Sequence, residues 1–83
     1  MTDTDDIRST VLAELLRIAP EVEPEELEPA TPLRDQVDLD SMDWLNFIIA
    51  LHTRLQVDIP ESDYAKLVTL NDVIGYLQNK LQA

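Results

Sequence analysis

The sixteen residues from Asp40 to Leu55, DSMDWLNFIIALHTRL, decide the fold. From Ser41 onward their apolar side chains recur every three or four residues, which predicts a helix from about Ser41 to Leu55. Five of these side chains fall within about 100° of the helix circumference and form the core stripe: Trp44, Phe47, Ile48, Leu51 and Leu55. Three others form a second strip beside the core stripe: Met42, Leu45 and Ile49.

Together the two strips cover more than half of the helix, which is a wide arc for one packing layer of a small domain to bury. Either another short element covers the second strip, or the strip is left for a ligand or a partner. One short element is available, because the segment from Glu61 to Leu67 follows Pro60 and carries acids in its first turn. We expect one or two helical turns there.

Two more helices flank this region. The first is predicted from about Asp5 to Ala19 and ends before Pro20, with one apolar stripe made by Ile7, Val11, Leu15 and Ile18. The last helix opens with Thr69 and Asp72, three residues apart, which is the pattern of a capping box. Its stripe consists of Leu70, Val73, Ile74, Leu77 and Leu81.

Residues 20–40 contain four prolines and show no alternating pattern, so they predict a long loop without a strand. Its apolar residues are spaced to attach it to the helices: Val22, Leu27, Leu33, Val37 and Leu39. The sequence therefore predicts an all-α fold, a small antiparallel four-helix bundle with three long helices and one short helix. The long loop joins the first and second helices, and residues 1–83 are expected to form one domain.

The charge balance limits the classes of partner. The chain has 83 residues, 17 acidic and 6 basic, and a formal net charge of −11, with thirteen of the acids in residues 1–43. Nucleic acids and anionic membranes would repel such a surface, so neither is an expected partner. No apolar run reaches the length of a membrane span, and the N-terminus is acidic and polar, so we expect a cytoplasmic protein.

The inventory of reactive side chains argues against an enzyme. Ser41 and the only histidine, His52, are eleven residues apart on one predicted helix, or about 16 Å, so they cannot form a catalytic pair. The aspartates at 35, 38, 40 and 43 lack the central glycine and closing glutamate of a calcium loop. We therefore expect no catalytic residue and no metal site, and the absence of cysteine removes thiolate chemistry.

Ser41 stands where the long loop meets the second long helix, a position at which serine is a favoured N-cap. A structural cap is one reading of Ser41. The other reading is a modified serine, because a phosphate ester at this position would meet free backbone N–H groups and the positive end of the helix dipole. Asp40 and Asp43 flank the serine, and the second strip begins next to it at Met42.

The chain resembles the acyl carrier protein family in three segments: Asp40-Ser41-Met42-Asp43, Val57-Asp58-Ile59-Pro60-Glu61 and Leu70-Asn71-Asp72-Val73. The resemblance covers nearly the whole chain. It implies that a phosphopantetheinyl transferase attaches 4'-phosphopantetheine covalently to Ser41, with Asp40 and Met42 completing the motif. The cofactor's thiol would then carry acyl groups as thioesters, and the protein itself would not be an enzyme.

The resemblance also implies partners that load or process acyl groups, namely synthases, ligases or acyltransferases, and a monomeric carrier. Their expected contact residues on this chain are Asp40, Met42, Asp43, Leu45, Asn46 and Ile49. Fatty acid, polyketide or another specialised acyl biosynthesis is expected. The positions that are commonly acidic in fatty-acid carriers hold Asn46, His52 and Thr53 here, Arg54 adds positive charge and Trp44 is bulky, which favours a dedicated carrier. An aminoacyl, D-alanyl or peptidyl carrier and an unmodified helical interaction module are the alternatives.

Overall fold

The computed structural model describes residues 4–82, with side chains for residues 5–81. Three long helices dominate this part of the chain: α1 (Thr4–Ile18), α3 (Ser41–Leu55) and α4 (Leu70–Gln82). Between them lie the one-turn helix α2 (Leu33–Gln36) and two 3₁₀ segments, Pro24–Glu26 and Glu61–Lys66. No strand occurs in residues 4–82, where an isolated antiparallel bridge joins Pro32 to Thr69. The predicted all-α bundle with three long helices is confirmed.

The three long helices enclose one core. In α1 the side chains of Ile7, Val11 and Leu15 are fully buried, and α1 packs on both α3 and α4. The core stripe of α3 splits into two groups: Phe47, Ile48 and Leu51 are buried, while Trp44 and Leu55 are partly buried at its edges. In α4 the buried residues are Leu70, Val73, Ile74 and Leu77.

Side-chain caps define where α3 and α4 begin. Asp40 is the N-cap of α3, and its Oδ1 accepts the Asp43 N–H at 2.8 Å. The expectation that Ser41 itself is the cap is wrong: Ser41 is the first helical residue. A carboxylate accepts a stronger hydrogen bond than a hydroxyl and also benefits from the helix dipole, so Asp40 takes the position. The capping box of α4 is confirmed, with Thr69 and Asp72 exchanging hydrogen bonds of 3.0 and 3.1 Å.

The connection between α1 and α3 is more ordered than its prolines predict. Leu33, Val37 and Leu39 are buried, and the Leu33 N–H donates to the Val68 carbonyl at 2.9 Å, so the connection is fixed to the segment before α4. The Gln36 amide also holds the loop closed, because it donates to the carbonyls of Glu28 and Thr31 at 2.9 Å and accepts the Glu28 N–H at 2.7 Å. Residues 38–41 therefore follow a segment that is fixed to the helical bundle.

A buried acid joins α1 to α3. Glu14 is 2% exposed, and its carboxylate binds Arg17 on the same helix and Arg54 on α3, each at 3.1 Å. The ion pair with Arg54 therefore fixes the second half of α1 against the end of α3. None of the helices within residues 4–82 combines the length and apolarity needed to cross a membrane.

Candidate functional site

The start of α3 is the most accessible part of that helix. Asp40, Ser41 and Met42 are all exposed, and Met42 is 64% exposed. The Asp40 carboxylate accepts the Asp43 N–H, and the Ser41 hydroxyl has no hydrogen bond to any residue that the structure describes. The backbone N–H groups of Ser41 and Met42 belong to the first turn, where a helix has no internal acceptors for them.

This geometry suits a phosphate ester on Ser41. The free N–H groups and the positive end of a 15-residue helix both favour an anion there. The hydroxyl faces solvent, so an enzyme that modifies it does not need to unfold the helix. The prediction that Asp40, Ser41 and Met42 lie together at an exposed helix start agrees with their positions in the fold.

The second strip continues from this point along the outer side of α3. Met42 and Ile49 are the exposed large apolar residues of α3, with Ile49 47% exposed, and the half-buried Leu45 lies between them without packing against the core. The 3₁₀ helix Glu61–Lys66 instead packs Leu67 into the core and places Tyr64 beside Trp44. Of the two explanations for the wide apolar arc, the geometry favours a strip left free.

Polar groups border the second strip along α3. Asp43 is half-buried in the first turn and Asn46 is exposed, and Asp43 is the one acid in the sequence of α3. A cavity of about 230 Å³ lies between α1 and α3 and is bordered by Asn46, Arg17 and Glu14. The surface beside the strip is therefore acidic near Ser41 and becomes neutral or basic toward Arg54.

A second cavity, of about 210 Å³, opens on the core-stripe side of the same helix start. Trp44, Tyr64, Leu67 and Val68 form its apolar walls, and the Trp44 ring lies against Phe47 with centroids 5.4 Å apart. Arg34 also lines this cavity. Sequence reasoning did not single out Arg34, because its place depends on the path of the loop, which no local pattern reveals.

The 3₁₀ helix Glu61–Lys66 is attached to α4 by a polar contact. The Tyr76 hydroxyl donates to Asp63 Oδ2 at 2.6 Å, and Lys66 binds the same carboxylate at 3.2 Å. Burial, and then the hydrogen bond to Asp63, raise the pKa of Tyr76 to about 12. The same hydrogen bond, followed by that from Lys66, lowers the pKa of Asp63 from its usual value. This contact stabilises the wall of the second cavity.

Comparison with known proteins agrees with this geometry. A family model described as a phosphopantetheine attachment site matches residues 7–77. An acyl carrier protein from Thermosynechococcus vestitus is 34% identical over 62 residues, which is 75% of this chain and 76% of that protein. One from Campylobacter jejuni is 28% identical over 79 residues, or 95% of this chain and 96% of that protein.

The fold comparison points the same way. The solution structure of an Anaplasma phagocytophilum protein assigned to the acyl carrier proteins superposes with a TM-score of 0.83. It is 24% identical to this chain, and the match covers 96% of this chain and 93% of that one, so it supports the fold alone. Because the attachment-site model spans most of the chain, the chain belongs to the acyl carrier protein family.

Membership of this family defines the general role of the chain. Proteins of this family are carriers and not enzymes, they hold 4'-phosphopantetheine covalently, and they work with phosphopantetheinyl transferases and acyl-processing enzymes. The expected carrier role and cofactor are thereby confirmed.

Proposed function

We propose that Ser41 is the attachment residue and that this chain carries acyl groups as thioesters. The observation that carries the proposal is the free, exposed Ser41 hydroxyl at the start of α3, next to the Asp40 cap. When bound, 4'-phosphopantetheine supplies the thiol that forms the thioester, and this chain has no cysteine of its own to do so.

The residues around Ser41 have separate roles in this proposal. Asp40 caps the helix, and the N–H groups of Ser41 and Met42 in its first turn would be available to hold the phosphodiester. We expect Met42, Leu45 and Ile49 to contact the apolar surface of a partner enzyme. Asp43 and Asn46 would contact polar groups at the edge of the same interface.

The charges on α3 favour a dedicated carrier. The sequence of α3 contains one acid, Asp43, and its one arginine, Arg54, is bound to the buried Glu14. Partner recognition then depends more on the apolar strip than on a row of carboxylates. A specialised acyl pathway, with loading ligases, synthases or acyltransferases as partners, fits this surface better than general fatty acid synthesis. An aminoacyl or peptidyl cargo is the alternative within the same chemistry.

The proposed carrier is a single-domain monomer of the cytoplasm, and residues 1–83 form its one domain. The acidic composition supports this setting, because it keeps the chain away from anionic membranes and nucleic acids. Size-exclusion chromatography with light scattering should give the mass of one chain, 9.4 kDa. The mass of two chains would contradict the monomer.

Incubation with coenzyme A and a broad-specificity phosphopantetheinyl transferase tests the attachment residue. The intact mass should increase by one phosphopantetheine in the wild type and not at all in Ser41→Ala. Ser62→Ala is the matched control, because Ser62 is also exposed and lies between two acids, Glu61 and Asp63, but not at the start of a long helix. An unchanged wild-type mass would instead favour the unmodified interaction module.

A further inference from the structure

Met42 is the most exposed large apolar side chain among the residues that the structure describes. It is 64% exposed, and it belongs neither to the core nor to the partly buried residues packed against the core. It is also the only sulfur-containing side chain of residues 5–81, because the sequence has no cysteine and its other methionine is Met1. Oxidants in solution can therefore reach this thioether directly.

The aromatic side chains, which oxidants also attack, are less available than Met42. The Trp44 ring is half-buried and lies against the buried Phe47, with ring centroids 5.4 Å apart. Tyr64 and Tyr76 are half-buried as well and pack against the core. A mild oxidant such as hydrogen peroxide should therefore modify Met42 before any of these rings.

Met42 stands where a modifying enzyme must make contact. Its Cα is about 3.8 Å from that of Ser41, because the two residues are adjacent in sequence. Side chains of a helix lean toward its N-terminus, so the Met42 side chain lies at the end of α3 that presents Ser41. A transferase that brings a phosphate within about 3–3.5 Å of the Ser41 hydroxyl covers this side chain.

Oxidation would reverse the character of this contact. A methionine sulfoxide is polar and chiral, and its oxygen accepts hydrogen bonds. Removing that oxygen from water without a donor costs free energy, and the flanking carboxylates of Asp40 and Asp43 can only accept. In the free carrier the sulfoxide stays in water, so the fold should not be affected.

We propose that Met42 is an oxidation site that controls access to Ser41. With the thioether reduced, the second strip begins with an apolar side chain that partners can cover. With the sulfoxide formed, the same partners dock poorly, and the transferase loads Ser41 slowly. This inference depends on the proposed attachment of the arm to Ser41.

The oxidation and its reversal use simple reagents. Hydrogen peroxide transfers one oxygen to Sδ: the S–O bond forms as the O–O bond breaks, and sulfur gives up two electrons. The proton of the transferred oxygen leaves with the hydroxide as water. In the reverse step, a methionine sulfoxide reductase removes the oxygen as water while two thiols become a disulfide.

The experiment treats the full apo chain with hydrogen peroxide, removes the peroxide, and then adds coenzyme A and a broad-specificity transferase. Intact mass counts the added oxygen atoms, and peptide mapping locates them. At carrier concentrations below KM, the protein oxidised at Met42 should load about tenfold more slowly than the untreated protein. The sulfoxide should raise KM more than it lowers kcat, because the Ser41 hydroxyl is unchanged.

Two variants serve as controls, and each is compared with its own untreated sample. Met42→Leu keeps Met1, so it measures any effect of oxidation there, and peroxide should not change its loading rate. The second control adds Asn79→Met to Met42→Leu. This variant has the same number of thioethers as the wild type, but the second one lies at an exposed position of α4, outside the second strip. Peroxide should oxidise residue 79 without slowing loading.

Reversal and stability complete the test. Reductases of both classes, one for each sulfoxide epimer, should restore the loading rate of the oxidised wild type. Thermal unfolding followed by circular dichroism should give the same melting temperature before and after oxidation. Failure of the reductases to restore the rate, although peptide mapping shows that Met42 is reduced, would contradict the proposed role of Met42.

The outcomes distinguish this inference from the proposal on which it depends. If the untreated wild type gains no phosphopantetheine, attachment fails and the control by Met42 fails with it. If the protein oxidised at Met42 loads at the untreated rate, attachment stands and the inference is wrong. An equal loss in the Asn79→Met control, or a lower melting temperature of the oxidised wild type, would also overturn the inference, because the loss would then reflect general damage.

Discussion

The two sides of α3 are both apolar and have opposite surroundings. Phe47, Ile48 and Leu51 are sealed in the core against α1 and the other helices, whereas Met42 and Ile49 are 64% and 47% exposed. Helical periodicity marks both sets equally well, because it reports which residues share a face and not what covers that face. The two sides therefore differ in what packs against them: the core covers the first set and solvent reaches Met42 and Ile49.

The largest change in stability should come from a substitution on the buried side of α3. Phe47→Ala is expected to lower the free energy of unfolding by about 3–5 kcal/mol, because it leaves a cavity in a rigid core. A domain of this size has only about 4–12 kcal/mol in total, so much of the protein should be unfolded in mild urea. Urea denaturation measures the change.

A substitution on the exposed side of α3 should have little effect on stability. Ile49→Ala should alter the free energy of unfolding by no more than about 0.5 kcal/mol, since the side chain already contacts water. The same variant should slow loading or processing by a partner enzyme if the second strip is a contact surface. Equal destabilisation by Phe47→Ala and Ile49→Ala would show that the two sides do not differ.

The next largest loss of stability should follow from breaking the ion pair that fixes α1 against α3. Arg54→Met should cost about 1–3 kcal/mol, because the buried Glu14 carboxylate loses one of its two partners. Glu14→Gln should cost less, since Arg17 and Arg54 are 73% and 52% exposed and can turn to water. Urea denaturation of both variants gives the comparison. A larger loss for Glu14→Gln would contradict this order.

A smaller effect, which depends on pH, is expected on the core-stripe side, where Tyr76 holds the second 3₁₀ helix. The pKa of Tyr76 is raised from 10.0 to about 12 in the folded state, so folding favours its neutral form. The stabilisation is present below pH 10 and is lost as the pH rises toward about 12.

Tyr76→Phe should therefore be less stable than the wild type near neutral pH, and the gap should close between about pH 10 and 12. Unfolding followed by circular dichroism across this range checks it. If the gap stays constant up to pH 12, the Tyr76 hydroxyl does not titrate in the way that the hydrogen bond requires.

A small effect of the opposite sign, a gain in stability, is expected on the outer face of α4. Gly75 is exposed, and a methyl group at its Cα would meet no atom within 4 Å. Gly75→Ala should raise the free energy of unfolding by about 0.5–1 kcal/mol, because alanine loses less entropy in a helix. Thermal unfolding measures the gain, and loading of Ser41 should be unchanged. A loss of stability would mean that Gly75 packs against something.

Local signals predicted much of the fold and the site. The bounds of α3 and the capping box of Thr69 and Asp72 depend on residues within one turn of each other, so the sequence alone reveals them. The cap of α3 was predicted one residue too late, because Asp40 takes the position expected for its neighbour Ser41. Glu14 also left a signal, since an acid lies within the apolar stripe of α1.

Contacts between distant segments were not predictable in the same way. The Gln36 amide bonds to residues five and eight positions away, and Arg54 binds Glu14 across 40 positions. The place of Arg34 at the cavity beside Trp44 likewise depends on how the loop returns to the bundle. Such contacts follow from the three-dimensional path of the chain, which periodicity does not encode.

The most direct test of the central claim is peptide mapping by tandem mass spectrometry of protein purified from its own host. The account predicts a phosphopantetheine on the peptide that contains Ser41, localised to that serine, and none on the peptide that contains Ser62. Modification at another residue, or its complete absence from protein that is folded and expressed with an active transferase, would contradict the account.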